Sequence, residues 1–391
     1  MALLISSFLS EPDLALQFAE RGSDERMVSM KKYRVGVIGC TGMVGQRFVT
    51  LIDQHPWFEL QVVAASARSA GKTYEEAVGN RWKIDTPMPE SAKKLVVMDA
   101  TNDIEKIAAQ VDFVFSAVDM KKEEIQALEE TYAKHECPVV SNNSAHRWTP
   151  DVPMVIPEVN PEHLEVLHDQ KKRLGTKHGF IAVKSNCSIQ TYVPALSPLM
   201  KKYPIEKILV CTYQAISGAG KTFESWPEMV DNVIPYIGGE EEKSEQEPLK
   251  VWGHVENGVI VNAPAPGITA QCIRVPVSNG HMGAVFVKFR DQKPTKEEMI
   301  ETWANFKGRP QELKLPSAPE QFLQYFTEDN RPQTALDRIL GNGMTVSIGR
   351  LREDTQYDYK FVSLAHNTLR GAAGGAVELA ELLCAEGWMD K

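Results

Sequence analysis

From Tyr33 onward, short runs of β-branched and aromatic residues alternate with longer stretches in which apolar residues recur every three or four positions. Tyr33 to Ile38 predicts a strand, Val44 to Gln54 a helix and Leu60 to Ala65 a second strand. Val111 to Val118 and Lys121 to Lys134 repeat the pair, and Val139-Val140-Ser141 adds a further short strand. Strands and helices in alternation build βαβ units on a parallel sheet. From about residue 186 to residue 365 the pattern changes, with strands predicted at Ile208 to Tyr213, Val259 to Val261, Cys272 to Val277, Ala284 to Phe289, Thr345 to Leu351 and Tyr359 to Ala365. So many strands with long irregular connections imply a mixed or antiparallel sheet with helices on one face. Ala376, Leu379, Ala380 and Leu383 then recur at helical spacing, which predicts a closing helix from Ala372 to Glu386. The acidic run Glu240-Glu241-Glu242 reads as the solvated start of a helix.

The chain of 391 residues carries 43 basic and 52 acidic side chains, a net charge of −9. A general nucleic-acid binder neutralises phosphates with a surplus of cations, so that class is excluded. With 43% hydrophobic and 24% charged residues the composition is that of a globular protein, long enough for two or three domains. No uncharged apolar stretch approaches 18 residues and Ala2-Leu3-Leu4-Ile5 is too short for a signal h-region, so neither a membrane span nor an export signal is expected. Cys40, Cys137, Cys187, Cys211, Cys272 and Cys384 are scattered without a CxxC pair, which argues against a disulfide framework and a thiolate metal site. The expectation is a cytoplasmic protein with reduced thiols, no metal, and a loosely held extension over residues 1–30.

Strand Tyr33 to Ile38 runs into Gly39-Cys40-Thr41-Gly42-Met43-Val44-Gly45 and then a helix. The spacing GxxGxxG is one residue looser than the dinucleotide fingerprint. Glycines let such a turn approach a pyrophosphate, and the helix N-terminus favours the anion. A turn that needs glycine only for positive φ is the plainer alternative. Where an NAD site carries an acidic residue after the second strand, this chain has Ser66, Arg68 and Ser69, which suit a 2′-phosphate and so imply NADP. Ser217-Gly218-Ala219-Gly220-Lys221-Thr222 resembles the end of a P-loop, but Ala215 stands where that motif needs glycine, so triphosphate hydrolysis is rejected.

Ser185-Asn186-Cys187-Ser188 precedes an apolar segment from Ile189 to Met200, and a thiol in a first helical turn has its thiolate stabilised by the dipole. Its polar neighbours make an inert buried cysteine the weaker reading. His281, where a loop meets a strand, has the reference pKa of about 6.5 expected of a general acid/base; a hydrogen-bonded loop histidine is the alternative. Arg274 alternates with Ile273 and Val275, so it lies on the other strand face, where a lone cation needs a carboxylate or phosphate.

The segments GCTGMVG, SNNSAHR, SNCS, TYQAISGAG, EQEPLK, IRVPVSNGH and HNTLRGAAGG, in this order, resemble the aspartate-semialdehyde dehydrogenase family from Tyr33 onward. That resemblance implies reversible NADPH-dependent reduction of L-aspartyl 4-phosphate to L-aspartate 4-semialdehyde through a cysteine thioester, in the pathway to lysine, threonine and methionine. It implies an α/β fold: a Rossmann-like NADP-binding domain from residues 31–185 completed by 366–391, and an α+β catalytic and dimerisation domain with a mixed sheet over 186–365. By motif, it implies Cys187 as nucleophile, Asn186 as a holder of the acyl oxygen, Gln214 as an orienting residue and His281 as acid/base. It further implies Arg274 on the substrate α-carboxylate, Glu247 near the substrate amino group, and Lys250 and Arg147 on phosphate. The cofactor would meet Gly39, Thr41, Gly42, Met43, Val44 and Gly45, then Ser66, Arg68 and Ser69, then Ser217, Gly218, Asn367 and Arg370. The expected partners are the small-molecule substrate, phosphate and further copies of the chain in a homodimer or homotetramer. A related reductase of N-acetylglutamyl phosphate or malonyl-CoA would mark itself by losing the phosphate ligands or changing the carboxylate Arg. A catalytically silent NADP-binding regulator would lack the Cys or the His.

Overall fold

The computed structural model describes residues 32–390, so the expectation for residues 1–30 lies outside the described residues. Seven strands form the first sheet: β1 (Tyr33–Ile38), β2 (Phe58–Ala65), β3 (Met98–Asp99), β4 (Phe113–Ser116), β5 (Val139–Ser141), β6 (Met154–Val155) and β7 (Ile181–Lys184). All pair in parallel, in the order β3-β2-β1-β4-β5-β7-β6. Helices α1 (Met43–Ile52) and α2 (Lys122–Lys134) are crossovers, and the fully buried β4 and β7 read as short apolar runs because both sheet faces are covered. Successive connections from β1 lead to β2 on one side and eventually to β4 on the other, so the carboxyl end of β1 is the switch point where such sheets open a ligand crevice.

After β7 the chain passes through α3 (Val193–Met200) into β8 (Ile205–Gln214), α4 (Glu240–Val251) and a small hairpin of β9 (His254–Glu256) and β10 (Val259–Val261). Then follow β11 (Gly267–Arg274), β12 (His281–Phe289), β13 (Leu323–Phe326), β14 (Val346–Glu353) and β15 (Tyr359–Ala365). The second sheet has the order β11-β8-β12-β15-β14-β13 and is mixed, parallel at its two edge pairs and antiparallel between. Along β12 every second residue is buried, the period-2 signature of a sheet with one covered face. β11 begins five residues before the predicted Cys272 and stops at Arg274, not Val277. It pairs with β8 up to Arg274 opposite Gln214, where both strands end, and Pro276 beyond has no N–H for a ladder.

The closing helix α5 (Ala373–Ala385) is buried on every side over its first eleven residues. A helix buried on every side belongs inside a protein, and its two glutamates are bonded there, Glu378 to Arg370 and Glu381 to His55. Its Ala376, Val377, Leu379 and Leu383 pack into the cluster formed by Val35, Phe48, Phe115 and Ala182 of the first sheet and α1. The chain's last segment thus completes the core under its first. None of the helices among the described residues is long and apolar enough to cross a membrane.

Candidate active site

Strand β7 delivers Ser185-Asn186-Cys187 at its carboxyl end, next to the mouth of the second sheet. The pairing of Gln214 with Arg274, and of Tyr213 with Met282, brings Gln214, Arg274 and His281 to one end of that sheet. Cys187 Sγ stands 3.4 Å from His281 Nε2. The other imidazole nitrogen, Nδ1, accepts the backbone N–H of Ala215 at 3.0 Å, so in the neutral ring the proton sits on Nε2 and faces the sulfur. Burial, with Arg274, His366 and Lys184 nearby, pushes the His281 pKa well below 6.5, so the ring is neutral at pH 7.

The thiol does not follow the dipole expectation. Cys187 precedes a single 3₁₀ turn, Ser188–Thr191, and α3 starts only at Val193, so no continuous α-helix points at it. Burial and Glu240 push its pKa up to about 11 against the pull of Lys184, Arg147 and Arg274. Desolvation outweighs the local dipole.

Arg274 is buried, donates to Ala215 O at 2.7 Å, and has no carboxylate partner among the described residues. Gly218 lies over this pair: a Cβ there would stand 2.9 Å from Arg274 Nη1 and 3.1 Å from His281 Nε2. Glu240 faces the same space, accepting from Asn186 Nδ2 at 3.1 Å, from Gln214 Nε2 at 3.3 Å and from Lys243 Nζ at 2.8 Å. Burial opposes its charge, but Lys243, Asn186 and Gln214 prevail and hold its pKa below the usual carboxylate range. One thiol, one imidazole, one guanidinium without a carboxylate partner among the described residues and one buried carboxylate therefore converge.

The glycine turn lies at the switch point. Gly39 has φ +85° and a Cβ there would be 2.3 Å from Ala117 O, while one on Gly45 would be 2.2 Å from Gly39 O. Those two glycines are required by the turn itself. Gly42 is not: it is exposed, with φ −77°, and a Cβ would meet only Gly39 O at 3.7 Å. The space beside Gly42 is open, as a pyrophosphate on this helix N-terminus requires. Thr41, Met43 and Val44 are part-exposed on the same turn. Ser66 and Arg68 are exposed just past β2, Arg68 without a partner among the described residues, and Ser69 is buried in the turn. A cavity of about 230 Å³ lined by Met43, Ser217, Ser278 and Thr368 joins the turn to the second sheet. A larger one, about 660 Å³, lies between Pro316–Gln321 and Leu340–Thr345, with neither a cation nor a cysteine in its wall.

Residues 34–167 match the semialdehyde dehydrogenase NAD-binding domain and residues 196–370 the semialdehyde dehydrogenase dimerisation domain. The chain is 43% identical to an aspartate-semialdehyde dehydrogenase of Methanothermobacter thermautotrophicus, over 89% of this chain and 98% of that protein. One from Aspergillus fumigatus is 40% identical over 93% and 100%. The chain belongs to the aspartate-semialdehyde dehydrogenase family. The crystal structure of the Candida albicans aspartate-semialdehyde dehydrogenase with NADP superimposes with a TM-score of 0.82 at 37% identity, covering 92% of this chain and all of that one.

Within this aspartate-semialdehyde dehydrogenase fold, four of the expected contacts fall differently. Lys250 Nζ donates to the carbonyls of Arg147, Thr149 and Val152 at 2.7, 2.9 and 3.0 Å, so its three protons are committed to the backbone and none is free for phosphate. Glu247 is fully buried beneath the nucleophile turn, accepting from Asn186 N at 2.6 Å and Arg147 Nη1 at 2.9 Å, and so is spent on structure. Arg147 is likewise held by Glu247 and by Lys184 O at 3.0 Å. Arg370, expected at the cofactor, is 1% exposed and bonds Glu158, Glu378 and Gln190 inside the core. Asn367, by contrast, reaches the crevice, donating to Ser217 Oγ at 2.9 Å and accepting from Gly280 N at 2.8 Å.

The acidic run also differs from its expectation. Glu240 starts α4 as expected, but it is buried, while Glu242 is exposed. Glu240 and Glu247 are seven residues apart, two turns of one helix, and each is followed three residues later by lysine. The helix thus carries the E-x-x-K pair twice on one face, and only the first copy looks into the site. Charge in a run of three glutamates masked that repeat.

Proposed function

We propose that this chain is an aspartate-semialdehyde dehydrogenase that reversibly reduces L-aspartyl 4-phosphate with NADPH to L-aspartate 4-semialdehyde and phosphate. The observation that carries the reading is the Cys187–His281 pair standing beside the unpaired Arg274 guanidinium and the buried Glu240. A bidentate guanidinium suits an α-carboxylate, and Glu240 suits the α-ammonium in place of Glu247. Lys243, on the same rim, supplies the cation that Lys250 cannot. The reading includes a cytoplasmic homodimer or homotetramer, consistent with the matched dimerisation domain.

The thiolate of Cys187 attacks the acyl carbon, the carbon–oxygen bond to phosphate breaks with its electron pair leaving on phosphate, and a thioester forms. NADPH, cradled by Gly39–Gly45 and by Ser66 and Arg68, supplies the hydride when bound. The tetrahedral oxyanion then collapses, its carbon–sulfur bond breaks, and the aldehyde leaves with Cys187 again a thiolate. The departing phosphate takes up one proton from solvent to become hydrogen phosphate, the single proton that the reduction consumes. His281 stabilises the negative charge on oxygen and sulfur through Nε2–H, and Gln214 and Asn186 supply amide N–H groups once Glu240 turns to the substrate.

The deciding experiment incubates the protein with L-aspartate semialdehyde, phosphate and NADP and follows NADPH formation. Turnover that requires phosphate is expected. Folded protein that reduces no NADP under these conditions, or that prefers N-acetylglutamate semialdehyde, overturns the reading.

A further inference from the structure

The cavity of about 230 Å³ between the glycine turn and the second sheet has cations on both of its sides. Arg47, one turn along α1 from Met43, and Lys83 reach it from the region matched to the NAD-binding domain. Lys221 and Arg338 reach it from the region matched to the dimerisation domain. Asp85, the single carboxylate in the wall, is exposed and forms no ion pair with these cations among the described residues. Lys83, Lys221 and Arg338 have no carboxylate partner there either. Their contacts are neutral: Lys83 Nζ donates to Gly220 O at 2.9 Å, Lys221 Nζ lies 4.6 Å from the centre of the Trp226 ring, and Arg338 Nη1 is 3.4 Å from Ser278 Oγ and from Asn279 O. Burial, then Arg47 and Arg338, push the His366 pKa down to about 3, so cations of both halves of the chain act on one buried point. Like charges gathered in a cleft repel one another and focus their field on an anion. The P-loop-like segment Ser217 to Thr222 supplies Lys221 but no backbone cradle. The N–H groups of Ser217, Gly218, Gly220 and Thr222 donate to Ser278 O, Ala215 O, Ser217 O and Ser225 Oγ, so an anion here is held by side chains.

We propose that this cavity is a phosphoryl-anion site, closed by Lys221 and Arg338 on one side and by Arg47 and Lys83 on the other. This rests on the reading of the chain as an NADP-dependent enzyme. Two such anions take part in that reaction, the diphosphate of the cofactor and free phosphate. The diphosphate stands first, because Met43 opens α1 and lines the cavity, so an anion on that helix N-terminus lies at its mouth. The 2′-phosphate is not the ligand: Ser66 and Arg68 lie just past β2, and neither is in the wall. Lys221 and Arg338 thus extend the cofactor site across to the second sheet, and the two halves of the chain hold one anion jointly.

Calorimetric titration of NADP and of NAD into the full chain, without substrate, tests this independently of turnover. Arg338→Gln should weaken both nucleotides about ten to a hundredfold, the loss of one charge-assisted hydrogen bond, and Lys221→Gln, at an exposed residue, about threefold or more. The two nucleotides should lose equally, since they share the diphosphate and differ in the 2′-phosphate. Lys207→Gln removes a charge roughly 20 Å along β8 from Gln214 and should change neither. Unaltered nucleotide binding with a weakened hold on inorganic phosphate, read from the width of its phosphorus NMR signal, keeps the site and makes free phosphate its ligand. Folded Lys221→Gln and Arg338→Gln proteins that bind both anions as the unmodified chain does overturn the proposal. So does a loss confined to NADP, or one that Lys207→Gln matches. Lys221→Gln alone decides the matter should Arg338→Gln fail to fold. An unmodified chain that binds neither NADP nor phosphate removes the proposed function as well, whereas normal binding in it with unaffected variants removes this inference alone.

Discussion

His281 turns Nε2 to Cys187 Sγ at 3.4 Å while Nδ1 is occupied by the Ala215 N–H at 3.0 Å. One backbone donor thereby fixes the tautomer of the ring and directs its only proton toward the reacting atoms. β8 and β12 set up this arrangement: Ala215 follows the end of the first strand and His281 opens the second, and their antiparallel pairing holds the two side by side. The imidazole is thus built as a fixed hydrogen-bond donor, a role that requires a neutral ring.

Cys187→Ser should reduce NADPH formation by about a thousandfold or more while NADP binding, read by fluorescence titration, stays intact. The hydroxyl keeps the size and hydrogen bonding of the site but cannot supply the anion. Comparable activity in the serine variant would remove Cys187 from the mechanism.

Arg68 is an exposed cation just past β2, without a partner among the described residues. If it meets a 2′-phosphate, the unmodified protein should prefer NADP to NAD, and Arg68→Ala should reduce kcat/KM for NADP about ten to a hundredfold, the loss of one charge-assisted hydrogen bond. Efficiency with NAD should hardly move. Equal use of the two cofactors by the unmodified protein would refute the assignment.

The layers of this fold could be read from the sequence because both periodicities are strong: β1 runs straight into the Gly39 turn before α1, β4 is a short apolar run, and α5 repeats small and apolar residues at helical spacing. Cys187, His281 and Arg274 could be singled out by residue type and immediate neighbours, a thiol between polar residues, an imidazole where a loop meets a strand and a cation on one strand face, and Gln214 by the family motif alone. Burial and pairing could not be read. Nothing in a linear pattern says that Lys250 spends all three protons on carbonyls 98 to 103 residues away, or that Arg370 faces Glu158 across 212 residues. Long charged side chains choose partners in space, so a motif identifies the residue type and leaves its direction open. Glu240 is hidden for that reason.

Arg370 gives that distinction a measurable form. Arg370→Met leaves the carboxylates of Glu158 and Glu378 buried without their cation, which costs about 3 to 5 kcal/mol of stability. Urea denaturation should register the loss, while the KM for NADP of the protein that remains folded should stay within about twofold. A selective rise in that KM at unchanged stability would return Arg370 to the cofactor site.

Arg274 separates the proposed substrate from other acyl donors. Its guanidinium is buried, bonded to Ala215 O, and otherwise free of carboxylates among the described residues, so a substrate carboxylate has an open partner there. Arg274→Lys keeps the charge but loses the planar two-point geometry, and binding and alignment should both suffer. The loss of one charge-assisted hydrogen bond corresponds to about 1.5 to 3 kcal/mol, or roughly ten to a hundredfold in kcat/KM for L-aspartate semialdehyde. An aldehyde without the α-carboxylate never gains that interaction in the unmodified enzyme, so its kcat/KM should change far less. Steady-state kinetics of both proteins with both aldehydes decides the point, and an equal loss on the two substrates would show that Arg274 holds the Ala215 turn and does not read the carboxylate.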